Sequence, residues 1–194
     1  MKLYHGSSTN IEKHLKPHRA FDRDDYSPCV YFAKERERAL IYAVNPIEVF
    51  IKNNFNKDIH CSAISAHFYD RTQQPALMEM YPNMFEEVYR NRHAYIYVCD
   101  IAEEELSTTF GYEFTVNREV SFVEKIYITD VLRELLLLQE QGKLRLLPFD
   151  KIDRDKTYLE REHLIDSLRI RKQYCKTQEE KDFFEMVAQY LPIK

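Results

Sequence analysis

Three short stretches of this 194-residue chain join a reactive or ring-bearing side chain to local chemistry that would hold it still. The first is Leu3-Tyr4-His5-Gly6-Ser7, a histidine at the end of a strand-like run followed at once by glycine. A glycine there lets a ligand approach the backbone, and the imidazole supplies a second hydrogen bond. The second is Val30-Tyr31-Phe32-Ala33, leading into a helical stretch with Ala39 and Tyr42. Strand alternation puts Tyr31 and Ala33 on the face opposite Val30 and Phe32, so a tyrosine can wall a pocket for a flat ring while its neighbours enter the core. The third is Asn117-Arg118-Glu119-Val120-Ser121-Phe122. A carboxylate in an apolar-alternating stretch either pairs with Arg118 or Lys125 on the surface, or steadies a positive centre such as an oxocarbenium-like sugar.

Those side chains need strands and helices to position them. Lys2–His5 and Cys29–Ala33 read as short strands beside turn residues, Glu35–Val44 as a helix, and Ala94–Ile101 as an alternating strand. The run Ala76–Arg90 reads as helical with an interruption at Pro82, whereas Phe50–Gln74 gives no clear signal. Further strands are expected at about Tyr112–Val120, Phe122–Thr129 and Leu144–Leu147. Between the last two, Asp130–Gln141 is a strongly apolar helix, capped by Thr129 or Asp130 and ended by Gly142. Gly111 is expected to turn the chain toward the glutamate strand. The expected fold class is α+β, with a domain over 1–149. The remainder, 150–194, holds 20 of the 60 charged residues and reads as a helical tail with Phe183, Phe184, Val187, Ala188 and Leu191 on one face.

Composition removes several function classes. With only Gly6, Gly111 and Gly142, neither a GxGxxG fingerprint nor a GxxxxGK[ST] loop can be written, so any phosphate-bearing ligand is held by another device. A net charge of −4 gives no general nucleic-acid footprint. Cys29, Cys61, Cys99 and Cys175 lie far apart without a CxxC pair, which reads as reduced thiols and a cytoplasmic protein. No run is apolar enough for a membrane span. His14 and His18 are spaced i, i+4, but Pro17 interrupts them, and the adjacent His60 and Cys61 lack further ligands, so no metal is expected. Cys29 reads as a small apolar residue rather than a nucleophile.

Taken together, the His-Gly of the first strand, Tyr31-Phe32-Ala33 with Tyr42 eleven residues on, and the late Glu119 resemble the ADP-ribosyltransferase superfamily. The resemblance is to its His-Tyr-Glu branch of diphtheria-type toxins and poly(ADP-ribose) polymerases. It covers three islands within residues 3–130 and leaves the tail outside. It implies a split, mainly antiparallel sheet around an NAD cleft, with a C-terminal helical appendage. It also implies NAD as substrate, broken at the nicotinamide–ribose bond, with ADP-ribose passed to an unknown acceptor (protein, nucleic acid, small molecule or water). By the same resemblance His5 bonds a ribose hydroxyl, the Gly6 backbone reads the carboxamide, and Ser7 assists. Tyr42 stacks on nicotinamide, Tyr31 forms the opposite wall, and Glu119 stabilises the oxocarbenium ion. Glu113 and Glu124 compete with Glu119 for that role. The chain departs from the polymerases where Ser27-Pro28-Cys29-Val30 replaces their glycines. A non-catalytic module of the same fold and an RNA 2′-phosphotransferase-like enzyme are the other readings.

Overall fold

A computed structural model describes residues 1–18, 27–56, 67–69, 75–79, 82–109 and 113–151, together with Gln178, Lys181, Asp182 and Glu185. The strands are β1 (Lys2–Ser7), β2 (His14–Leu15), β3 (Val30–Ala33), β4 (His67–Tyr69), β5 (Pro75–Met78), β6 (Ala94–Asp100), β7 (Ser107–Thr109), β8 (Glu113–Val116), β9 (Val120–Ser121), β10 (Glu124–Ile128) and β11 (Arg145–Leu147). The helices are α1 (Arg36–Tyr42), α2 (Pro46–Phe55), α3 (Met84–Tyr89) and α4 (Val131–Glu140).

Six strands form one antiparallel sheet in the order β10-β6-β1-β3-β8-β7. Its centre is β1 and β3, both from the first part of the chain, flanked by the later strands β6 and β8, and β10 lies at one edge. A second sheet, β11-β5-β4, contains the parallel pair β11–β5, and β2 pairs with β9. Apolar residues fill both faces of the large sheet. On one face Ala39, Leu40, Met84, Val88, Ile96, Leu132 and Leu135 join α1, α3 and α4 to the sheet. On the other, Leu3, Leu15, Val30, Phe32, Tyr97, Val116 and Val120 form a smaller core.

Local chemistry explains α4. The Asp130 carboxylate accepts from the Arg133 backbone N–H at 3.1 Å, and Val131, Leu132, Leu135 and Leu138 are buried on one face. Gly142 at φ 68° ends it in the left-handed conformation, its N–H bonded to the Gln139 carbonyl at 2.9 Å.

The expectation of a helix across Ala76–Arg90 is corrected. Pro75–Met78 is a strand between β4 and β11, and the helix starts only at Met84. A strand buried on both faces gives an unbroken apolar run that periodicity cannot separate from a buried helix, and Pro82 disfavours helical backbone before it. Within the unassigned 50–74 stretch lie the end of α2 and β4. The Gly111 turn and the five apolar tail positions lie outside the described residues, while Gln178, Lys181, Asp182 and Glu185 are helical. Among the described residues no helix is long and apolar enough to cross a membrane.

Candidate functional site

The large sheet opens at its centre. β1 pairs with β6 along its whole length, from Lys2↔Asp100 to Ser7↔Tyr95, but with β3 only at Tyr4↔Ala33. Both strands continue past that pair, β1 to Ser7 and β3 back to Val30, without extending the ladder. The His5 side chain bonds across this opening: its Nδ1 lies 2.8 Å from the Tyr31 carbonyl oxygen. A carbonyl only accepts, so Nδ1 carries the proton and donates. Nε2 is then left as an acceptor, suited to a hydroxyl donor. Burial, partly opposed by the Tyr31 hydrogen bond and helped by nearby His18, lowers the imidazole from 6.5 to about 4. At neutral pH the ring is uncharged. Phe32 stands edge-on at 6.1 Å between centroids and Tyr97 lies at 6.2 Å.

Gly6 sits beneath α1. A Cβ built on it would fall 1.8 Å from the Ala39 carbonyl oxygen and 3.0 Å from the Ala43 Cβ. What approaches this glycine closely is therefore the helix backbone, and the small residue at 39 is the other half of that contact. Ser7 accepts from the Thr9 backbone N–H at 3.0 Å, closing the turn after β1. Tyr31 is half-buried with its ring 5.7 Å from that of His18.

Pairing register sorts the remaining candidates by face. Glu124, Val98, Tyr4, Ala33 and Glu113 form one row across the sheet, and Lys125, Tyr97 and His5 the next. Neighbouring rows point to opposite faces. Glu113 and Glu124 thus share the α1 face with Gly6, Tyr31 and Tyr42, and His5 faces the smaller core.

Glu113 is the candidate that the structure ties to Tyr42. Burial raises its carboxyl above the ordinary 4.5, while a hydrogen bond from the Tyr42 hydroxyl and the positive charge of Arg38 pull it back. Arg38 itself is buried and pairs with Glu35 at 3.4 Å. Nothing in the sequence marks either Arg38 or the link between positions 42 and 113, because the link is made by strand register.

Glu119 is exposed and lies in the connection just before β9, outside a strand. The surface pairings available to it are used otherwise. Arg118 bonds the Glu105 carboxylate and, at 2.9 Å, the Glu119 carbonyl, while Lys125 bonds Asn10 at 2.8 Å. Its neighbour Val120 packs with Leu3, Phe32 and Tyr97 in the smaller core. The structure thus divides the candidates: Gly6, Tyr31 and Tyr42 share the α1 face, His5 lies on the other and reaches Tyr31 only at its backbone carbonyl, and among the described residues the Glu119 carboxylate contacts none of them.

The two native thiols among the described residues differ. Cys99 is buried beside Asp100 and pushed up to about 12, whereas Cys29 is half-buried and bridges backbone to His18. His14 bonds Ser121 at 3.0 Å, and no group of three or more metal-ligating side chains exists among the described residues. Set against protein-family models, curated proteins and solved structures, the chain matches none of them.

Proposed function

We propose that the chain binds NAD at the opening between β1 and β3 and breaks its nicotinamide–ribose bond, passing ADP-ribose to an acceptor. The observation that carries the reading is the single β1–β3 pair, with a neutral His5 held across the gap by Tyr31 and its Nε2 left to accept. An uncharged acceptor nitrogen suits a ribose hydroxyl better than an imidazolium would. Tyr31 and Tyr42 supply rings on the other face for the flat base, and the hydroxyl of Tyr42 is steadied by Glu113. As the C1′–N bond breaks, nicotinamide leaves with the bonding pair and positive charge grows on the ribose. The Glu119 carboxylate, free of an ion pair among the described residues, answers that charge.

In this scheme Glu113 is a positioning residue and Glu119 acts on the reacting sugar. The assay is free nicotinamide released from NAD. Glu119→Ala is expected to lower kcat by roughly 100-fold or more, and Glu113→Gln to raise KM with a much smaller change in kcat. Equal release by wild type and Glu119→Ala removes Glu119 from the mechanism. A wild-type melting temperature unmoved by millimolar NAD removes the NAD site itself. A protein that NAD stabilises but that releases no nicotinamide fits the non-catalytic module instead.

A further inference from the structure

The face of the sheet that holds His5 continues outward as a row of rings. Tyr97 stands next to His5, Tyr95 lies 6.3 Å from Tyr97 at an interplanar angle of 26°, and Tyr127 lies 5.2 Å from Tyr95. His93 closes the outer end, 5.9 Å from Tyr95 and 6.0 Å from Tyr127. Register explains the alignment: Tyr127 pairs with Tyr95 and Lys125 with Tyr97, on adjacent strands of which β10 is outermost.

The row changes character along its length. Tyr97 is fully buried, packed 4.8 Å from Phe122, and its hydroxyl donates to the Thr9 carbonyl and accepts from the Ile11 N–H. Tyr95 is half-buried, His93 is exposed, and Tyr127 is 55% exposed. The inner end is anchored and the outer end offers ring faces to solvent. Cations flank it. Lys125 lies 5.9 Å from the Tyr95 centroid, and Arg133 lines a surface pocket of about 220 Å³ together with Tyr127. Of the two acids of that pocket, Glu134 pairs with Arg36 at 2.7 Å, while Asp130 caps α4 through the Arg133 backbone N–H and keeps its charge.

We propose that this row docks the acceptor and that the acceptor is single-stranded nucleic acid, an inference that rests on the ADP-ribosyl transfer reading. Exposed rings next to cations match unpaired bases on a phosphate backbone, since every base has a π face to stack and a duplex hides it. With the whole chain at −4, capture depends on this local patch and not on a general field. Bases stack on Tyr127 and Tyr95 at the exposed end of the row, and Lys125 and Arg133 hold phosphates. In the transfer, an acceptor oxygen or nitrogen bonds to C1′, nicotinamide leaves with the electrons of the broken bond, and the acceptor's proton passes to water.

The test is fluorescence anisotropy of a labelled single-stranded hexanucleotide, as DNA and as RNA, titrated with the full chain in the absence of NAD at two salt concentrations. The single strand is expected to bind, and Tyr127→Ala to weaken binding about tenfold. Lys125→Gln is expected to flatten the salt dependence. Urea midpoints of both variants, at solvent-exposed positions, verify that the fold is intact. The proposal is overturned if no single strand binds, if duplex binds as well as single strand, or if Tyr127→Ala binds like wild type. It is equally overturned if labelled poly-glutamate binds with the same Tyr127 dependence, since the site would then read charge on a polypeptide. Because NAD is absent, a failure here leaves nicotinamide release untouched, and a failure of nicotinamide release leaves this binding measurable.

Discussion

At the scale of single residues, His5 carries the sharpest consequence because its environment fixes both tautomer and charge. The unfolded chain titrates near 6.5 and the native imidazole near 4. Between those values the unfolded state holds the extra proton, so acid favours unfolding there. Stability is expected to fall as pH drops from 6.5 to 4, with at most about 1.4 kcal/mol per pH unit from this one group. Above pH 6.5 both states are neutral and the slope from His5 vanishes. Urea midpoints of wild type and His5→Gln across this window check it. Gln keeps a donor for the Tyr31 carbonyl but does not titrate, so its profile should lack the His5 part of the slope. Identical slopes would mean that the imidazole is not held neutral. The His-Gly pair stood out in the sequence, but the reason for neutrality did not, because Tyr31 meets His5 only through the β1–β3 crossing.

At the scale of elements, legibility followed how local the cause was. Strand β6 and helix α4 read correctly from alternation, an Asp cap and a terminal Gly, all of which act within a few residues. β5 was misread because its parallel partner β11 is remote in sequence and because Ala76, Leu77 and Met78 are all buried, which leaves no alternation to read. The single-pair β1–β3 ladder was not legible either, since no local pattern tells two strands to stop pairing after one residue pair. Gly6 and Gly142 separate the two kinds of cause experimentally. Alanine at Gly142 meets no atom within 4 Å but must hold φ 68°, which costs about 1 kcal/mol. Alanine at Gly6 drives a methyl into the Ala39 carbonyl, backbone against backbone, so α1 must lift from β1. Gly6→Ala is expected to destabilise by more than about 3 kcal/mol in urea unfolding, and Gly142→Ala by clearly less. Equal losses would show that α1 yields at no cost, leaving the close approach without consequence for the site.

At the scale of the whole molecule, the question is what joins the second sheet and its helix to the sheet that carries the opening. Much of that joining is apolar, through α1, α3 and α4, but its far end depends on one buried carboxylate. Glu79 is 7% exposed, and its two oxygens accept from the Phe85 N–H at 2.9 Å and the Phe149 N–H at 2.8 Å. Its own N–H bonds the Leu147 carbonyl at 3.0 Å. One side chain therefore ties the end of β5 to the first turn of α3 and to the stretch after β11 that leads on toward residue 150. Two oxygens each facing an N–H make this a position where charge matters less than acceptor count. Glu79→Gln preserves shape but turns one acceptor into a donor against a backbone donor, leaving an N–H unsatisfied. The expected loss is about 1–3 kcal/mol in the urea midpoint. Exposed Glu87→Gln, on α3 itself, is expected to stay within about 0.5 kcal/mol. Limited proteolysis adds a local readout, because release of Phe149 should expose the backbone near residues 149–151 to cleavage before the large sheet opens. A Glu79→Gln protein with wild-type stability and an unchanged cleavage pattern would mean that the apolar contacts alone hold the second sheet in place.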